Sequence, residues 1–70
     1  MDKEYLQKFG THLRKLRKAK GLVQDDFDCD RISRPMFGHI ELAQSDTTIS
    51  KVKAIADILG VPVKDLFDFD

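Results

Sequence analysis

The 70-residue chain has one cysteine, no tryptophan, two prolines and no excess of either charge. Each shortage excludes something. A lone thiol builds no disulfide framework, so stability must come from helix packing, helped by dimerisation. No apolar run approaches the ~18 residues of a membrane span. The first residues also lack the charged-then-apolar pattern of a signal segment, so no membrane partner and a cytoplasmic location are expected. Seventy residues make one domain, 1–70, close to the lower size limit for folding alone. Repeats, low-complexity tracts and linkers are absent.

Signatures of catalysis are equally scarce. His12, His39 and Cys29 are not spaced as a metal site, and no glycine-rich loop is present to cradle a phosphate. Asp25, Asp26, Asp28 and Asp30 crowd together without a partner base. A calcium loop would need a glycine at its middle and a closing glutamate, and both are missing. No enzyme activity, metal or cofactor is therefore expected. Cys29 reads as a small buried or half-buried apolar residue.

The formal net charge of zero conceals an asymmetry. Lys3, Lys8, Arg14, Lys15, Arg17, Lys18 and Lys20 precede position 24 against only Asp2 and Glu4. The aspartate run follows, and the other end carries Asp65, Asp68 and Asp70. A basic face on an acidic body suits a partner lined with phosphate; solvation of a small domain accounts for the same charges.

Apolar spacing predicts helices throughout. Phe9, Leu13 and Leu16 share one face of a first helix, whose other face holds Arg14, Lys15 and Lys18, and Gly21 supplies a left-handed end. A short second helix starts near Gln24, with Asp25 and Asp26 in its first turn and Phe27 as its only large apolar side chain. Ile32–Glu41 follows, where Phe37 and Ile40 make one buried face while Arg34, Met36 and His39 can reach outward. Thr48 is an N-cap for a fourth helix with Ile49, Val52, Ile55, Ala56 and Leu59 inward, ended by Gly60. Pro62 opens a last turn through Leu66 and Phe67. The expected architecture is all-α, five short helices and no strands.

A short helix, a tight turn and a second helix with outward Arg and His are the layout of a helix-turn-helix, whose second helix enters the DNA major groove. From about Phe9 to Phe67 the spacing resembles the phage-repressor and Cro family of small bacterial and phage transcriptional regulators, of the xenobiotic-response-element type. The resemblance implies a lambda-repressor-like domain that binds duplex DNA as a homodimer, with a reader helix over about 34–42 and no small-molecule effector. It implies base contacts from Arg34, Pro35, Met36 and His39. Arginine in particular can pair with guanine O6 and N7 through two parallel hydrogen bonds. Phosphate contacts are implied at Gln24, which matches the glutamine opening the family's second helix, and at Ser45, Thr47 and Lys51, with Arg14 added from the basic face. Helix capping explains the hydroxyls before Lys51 equally well. Arg17 and Glu41 match a structural ion pair. Leu66, Phe67 and Phe69 are expected at the dimer interface, being more apolar surface than a last turn can bury.

The chain departs from that family in several places. Val23 stands where a Ser cap is usual, and Asp28 replaces a small alanine. The stretch between Gln24 and Ile32 is one residue short and lacks the customary turn glycine, so the second helix or the turn must be remodelled. Because a residue before proline is pushed out of the α region, Pro35 is expected to be the first helical residue and Arg34 to be extended. Gly38 weakens the reader helix. The alternative reading is a protein-interaction module on the same fold with weak or no DNA binding.

Overall fold

The computed structural model describes residues 2–70 and, among them, contains helices and no strands. Three are α-helices: α1 (Lys3–Ala19), α2 (Arg34–Glu41) and α3 (Ile49–Leu59). Two are 3-10 turns: η1 (Gln24–Phe27) between α1 and α2, and η2 (Val63–Phe67) after α3. Three α-helices thus stand where five helices were expected; the second and the last are short 3-10 segments of four and five residues. In η1 the cause is local. Val23 has no side-chain oxygen to cap with, and only the Asp26 carboxylate accepts the Val23 N–H, at 2.8 Å. Asp28 is already extended (φ −94°, ψ 103°), and the Cys29 N–H closes a tight turn onto the Ile32 carbonyl at 2.8 Å.

All three α-helices end alike. A left-handed residue follows each, Gly21 (φ 72°), Ala43 (φ 59°) and Gly60 (φ 72°). Next to each, the paired bonds of a Schellman closure form, as in Gln44 N–H to the His39 carbonyl at 2.8 Å and Ala43 N–H to that of Ile40 at 3.1 Å. Glycine takes this conformation freely, whereas an alanine there is strained.

The core is built from Phe9 and Leu13 of α1, Phe27, Ile32, Phe37 and Ile40, then Val52, Ile55, Ala56 and Leu59 of α3, and Leu66 of η2. Phe27 and Phe37 lie face to face with centroids 3.8 Å apart and planes 6° from parallel, fastening η1 to α2. Gly10 lets α1 meet the end of α2 backbone to backbone: a Cβ there would lie 2.3 Å from the Glu41 carbonyl oxygen.

Several expectations need correction. Ile49, the first residue of α3, is 89% exposed, outside the set Val52, Ala54, Ile55, Ala56 and Leu59 that the helix buries. Cys29 is exposed, since the turn that carries it is held at the surface between the buried anchors Phe27 and Ile32. Pro62 is the N-cap of η2 (φ −68°, ψ 152°) and not its first helical residue. Leu66 is fully buried in its own chain, so no dimer partner can reach it. Phe67 stacks on Phe9 at 4.9 Å, and Phe69 leans on Tyr5 (5.2 Å) and His12 (5.7 Å). The His12 Nε2 also bonds the Asp65 carbonyl at 2.8 Å. Tyr5, Phe9 and His12, neighbours on one side of α1, therefore absorb much of the aromatic surface that was expected to be spare.

Candidate nucleic-acid interface

The leading end of α2 is fixed by its own cap. Ser33 is extended (φ −98°, ψ 155°), and its Oγ accepts the Met36 N–H at 3.2 Å. The Ser33 carbonyl accepts the first helical bond, from the Phe37 N–H at 2.9 Å. Arg34 is therefore the first helical residue and Pro35 the second, which overturns the expected later start. Pro35 sacrifices nothing there, because first-turn N–H groups have no helical partner. The steric bias against a helical Arg34 is outweighed by what the position supplies. The Arg34 N–H donates to Asp28 Oδ1 at 3.3 Å, and its guanidinium pairs with the Asp25 carboxylate, Nε lying 2.6 Å from Oδ1.

From that start the helix sorts its faces. Phe37, Ile40 and Glu41 point inward, whereas Pro35 and His39, four residues apart on one face, are exposed. Arg34 sits at the leading edge. Met36 differs from expectation: it is half-buried against the core rim, with the Ser45 hydroxyl donating to its sulfur at 3.7 Å. An inward-leaning apolar side chain has more to gain from that rim than from water.

Behind the open face lies a buried polar knot. Arg17 Nε donates to Glu41 Oε2 at 2.7 Å, Arg17 Nη2 to Oε1 at 3.4 Å, and Arg17 Nη1 to the Leu22 carbonyl at 3.1 Å. Only 11% of the Arg17 side chain and 3% of that of Glu41 are exposed. Gln24 completes the knot, its Nε2 donating to Glu41 Oε1 at 2.9 Å. The amide expected to face phosphate is thus turned inward, over Gly38, where an added Cβ would lie 3.7 Å from Gln24 Oε1. The buried carboxylate has a lone pair to fill, and glutamine is the donor within reach. Nothing in the sequence separates a glutamine that serves phosphate from one that serves a neighbouring carboxylate.

The remaining candidates border this helix. Arg14 of α1 and Gln24 line a single groove of about 660 Å³ beside Glu41, Leu42 and Ala43. Arg14, Lys15, Lys18 and Lys20 are exposed and, among the described residues, outside every ion pair. Thr48 caps α3 by accepting the Lys51 N–H at 3.3 Å, Thr47 donates to the Thr48 carbonyl at 3.5 Å, and Ser45 and Lys51 are half-buried. Elsewhere, Arg31 and Lys53 converge on Asp57 at 2.9 and 2.6 Å, tying the 28–33 turn to α3. Hydrogen bonds from Lys53 first and then Arg31 hold that carboxyl below its ordinary value.

Two residues carry no signal in the sequence: Gly10 is one more position in the long α1, and Ala43 one more residue after α2. Among the described residues no helix is long and apolar enough to cross a membrane, and no cluster of His, Cys, Asp and Glu could hold a metal ion.

Known structures share this arrangement. The restriction-modification controller protein C.AhdI from Aeromonas hydrophila superposes with a TM-score of 0.83 and 33% identity, covering 89% of this chain and 96% of that one. The DNA-binding domain of BldD gives a TM-score of 0.81 and 29% identity, over 94% of this chain and 97% of that one. No family model matches the chain, and no curated protein sequence matches it either. The chain belongs to the helix-turn-helix regulator family.

Proposed function

We propose that this protein is a sequence-specific duplex-DNA-binding transcriptional regulator that acts as a homodimer. The observation that carries the reading is the two-faced α2. Its inner face is bolted to α1 and η1 through Gly10, the Phe27–Phe37 stack and the Arg17–Glu41–Gln24 knot, while Pro35 and His39 stand clear and Arg34 leads. An eight-residue helix is roughly 12 Å long, and the major groove is about 12 Å wide. The names of the structural neighbours, a controller protein and a DNA-binding domain, support the same reading.

In this reading α2 enters the major groove, with Arg34, Pro35 and His39 against base edges. Met36 touches DNA only at the rim where it meets Ser45. Arg14, Lys51, Ser45 and Thr47 hold phosphates on either side. Gln24 acts by fixing Glu41 and the helix pose, and reaches phosphate only if its amide leaves that carboxylate. Two copies place their readers about one helical turn (~34 Å) apart on a near-palindromic site. Phe67 and Phe69, half-buried in the monomer, contribute what apolar edge remains to the contact between copies. No small-molecule effector enters this account.

The inward Gln24 and the paired Arg34 also favour the alternative, an interaction module whose DNA donors are already spent. Salt separates the two. Fluorescence anisotropy of a labelled random-sequence duplex pool should show binding at low salt that weakens steeply as salt rises, since each phosphate contact releases a counterion. No duplex affinity even at low salt, with the protein folded, would leave the interaction module.

A further inference from the structure

Arg34 and Asp25 form an exposed ion pair at the leading end of α2. A guanidinium offers five N–H donors along two usable edges, one through Nε and one through the terminal Nη pair. Asp25 Oδ1 lies 2.6 Å from Nε, which sets the carboxylate as an ion-pair partner against that edge. The Nη pair is left, and that fork matches the O6 and N7 acceptors of guanine. Resting on the DNA-reading role proposed above, we propose that Asp25 is a positioning residue for base readout: it holds the Arg34 fork toward a guanine edge and keeps it off the phosphates.

The two side chains come from segments that cannot drift apart. Asp25 lies in η1 and Arg34 opens α2, and the Phe27–Phe37 stack, its ring centroids 3.8 Å apart, fastens these elements together. The Arg34 backbone is held as well, by the Asp28 carboxylate on its N–H and by the Ser33 cap just before it. A free arginine on a flexible stem would sample many phosphate contacts, which add affinity for any sequence. One whose Nε faces a carboxylate and whose charge is offset gains less from phosphate and keeps its directional bonds for a base. Both residues are solvent-exposed, 53% and 77% for the side chains, so the pair adds little to folding and can be altered without unfolding the domain.

The test uses the full chain and a duplex selected from a random pool, with every single-base-pair variant of that duplex and a scrambled control. Arg34→Ala should erase a guanine preference of roughly 5- to 150-fold at one base pair per half-site. Asp25→Asn should reduce the preference at that same base pair by about threefold or more, while affinity for the scrambled duplex holds or rises and the log–log salt slope steepens by about one unit. Asp25→Glu, which keeps the carboxylate, should restore part of the preference. In an Arg34→Ala background, Asp25→Asn should no longer affect that base pair. An Asp25→Asn protein with all base preferences intact would overturn the proposal, whether or not overall affinity rises. Selective binding by the native chain with no change of preference in Arg34→Ala would also overturn it, leaving DNA binding itself intact. Failure of the native chain to enrich any duplex would instead reject the DNA-reading role beneath it.

Discussion

Gly10 of α1 lies directly beneath the Glu41 carbonyl of α2, so close that a Cβ would approach that oxygen to 2.3 Å and the Ile40 carbonyl oxygen to 2.7 Å. The helix that presents Pro35 and His39 is therefore seated on bare backbone. Gly10→Ala must push two main chains apart, and neither can yield as a side chain would. We expect destabilisation at or above the ~3 kcal/mol end of ordinary overpacking, seen as a lower urea midpoint with an unchanged slope. A stability within ~0.5 kcal/mol of the native chain would mean the helices do not cross this closely.

The knot behind α2 makes a second prediction. Glu41→Ala removes the partner of a largely buried Arg17 and strands the Gln24 amide. Breaking such a pair costs about 3–5 kcal/mol, because the remaining charge stays buried without compensation. For a domain this small that is most of the folding free energy. Thermal unfolding followed by circular dichroism should show a melting temperature lowered by well over 10 °C, or no cooperative transition at all.

Ala43 predicts the opposite sign. It is the one non-glycine residue with positive φ among the described residues, and it performs the same closure as Gly21 and Gly60. Ala43→Gly relieves left-handed strain of about 1 kcal/mol, less a fraction for the added freedom of the unfolded chain. The variant should melt higher than the native protein; a lower melting temperature would contradict the assigned backbone conformation.

Acid stability should carry the signature of Asp57. Lys53 and then Arg31 lower its folded-state pKa, so on acidification the unfolded chain takes up the proton first. The pairs' contribution is complete above the ordinary carboxyl value of 3.8 and is lost as pH falls through the lower folded value. The carboxylate is exposed, so the effect is small and salt-sensitive. Urea midpoints should show the native chain ahead of Asp57→Asn near neutral pH, with the gap closing below about pH 4. A gap that widened on acidification would have the wrong sign.

The legibility of this chain followed the range of the interactions involved. Phe9 and Leu13, and Val52 through Leu59, repeat along their own helices, so the all-α fold and most of its core could be read from local spacing. Thr48, Gly21 and Gly60 announce caps and ends by residue type alone. What stayed hidden depends on partners distant in the chain. Gly10 is required by a carbonyl 31 positions away, Gln24 turns to Glu41, and Arg34 is drawn into the helix by Asp25 and Asp28 against its own pre-proline bias. Leu66 looked spare because α1 and α3, which bury it, could not be placed from the sequence.

Whether α2 reads base pairs is decided by selecting bound sequences from a random duplex pool. Enrichment should converge on a near-palindrome whose half-site centres lie about one helical turn apart, ~34 Å. His39→Ala should flatten the preference at one position in each half, without a uniform loss across sequences. A pool that stays unenriched at low salt, with the protein folded by circular dichroism, would contradict the claim.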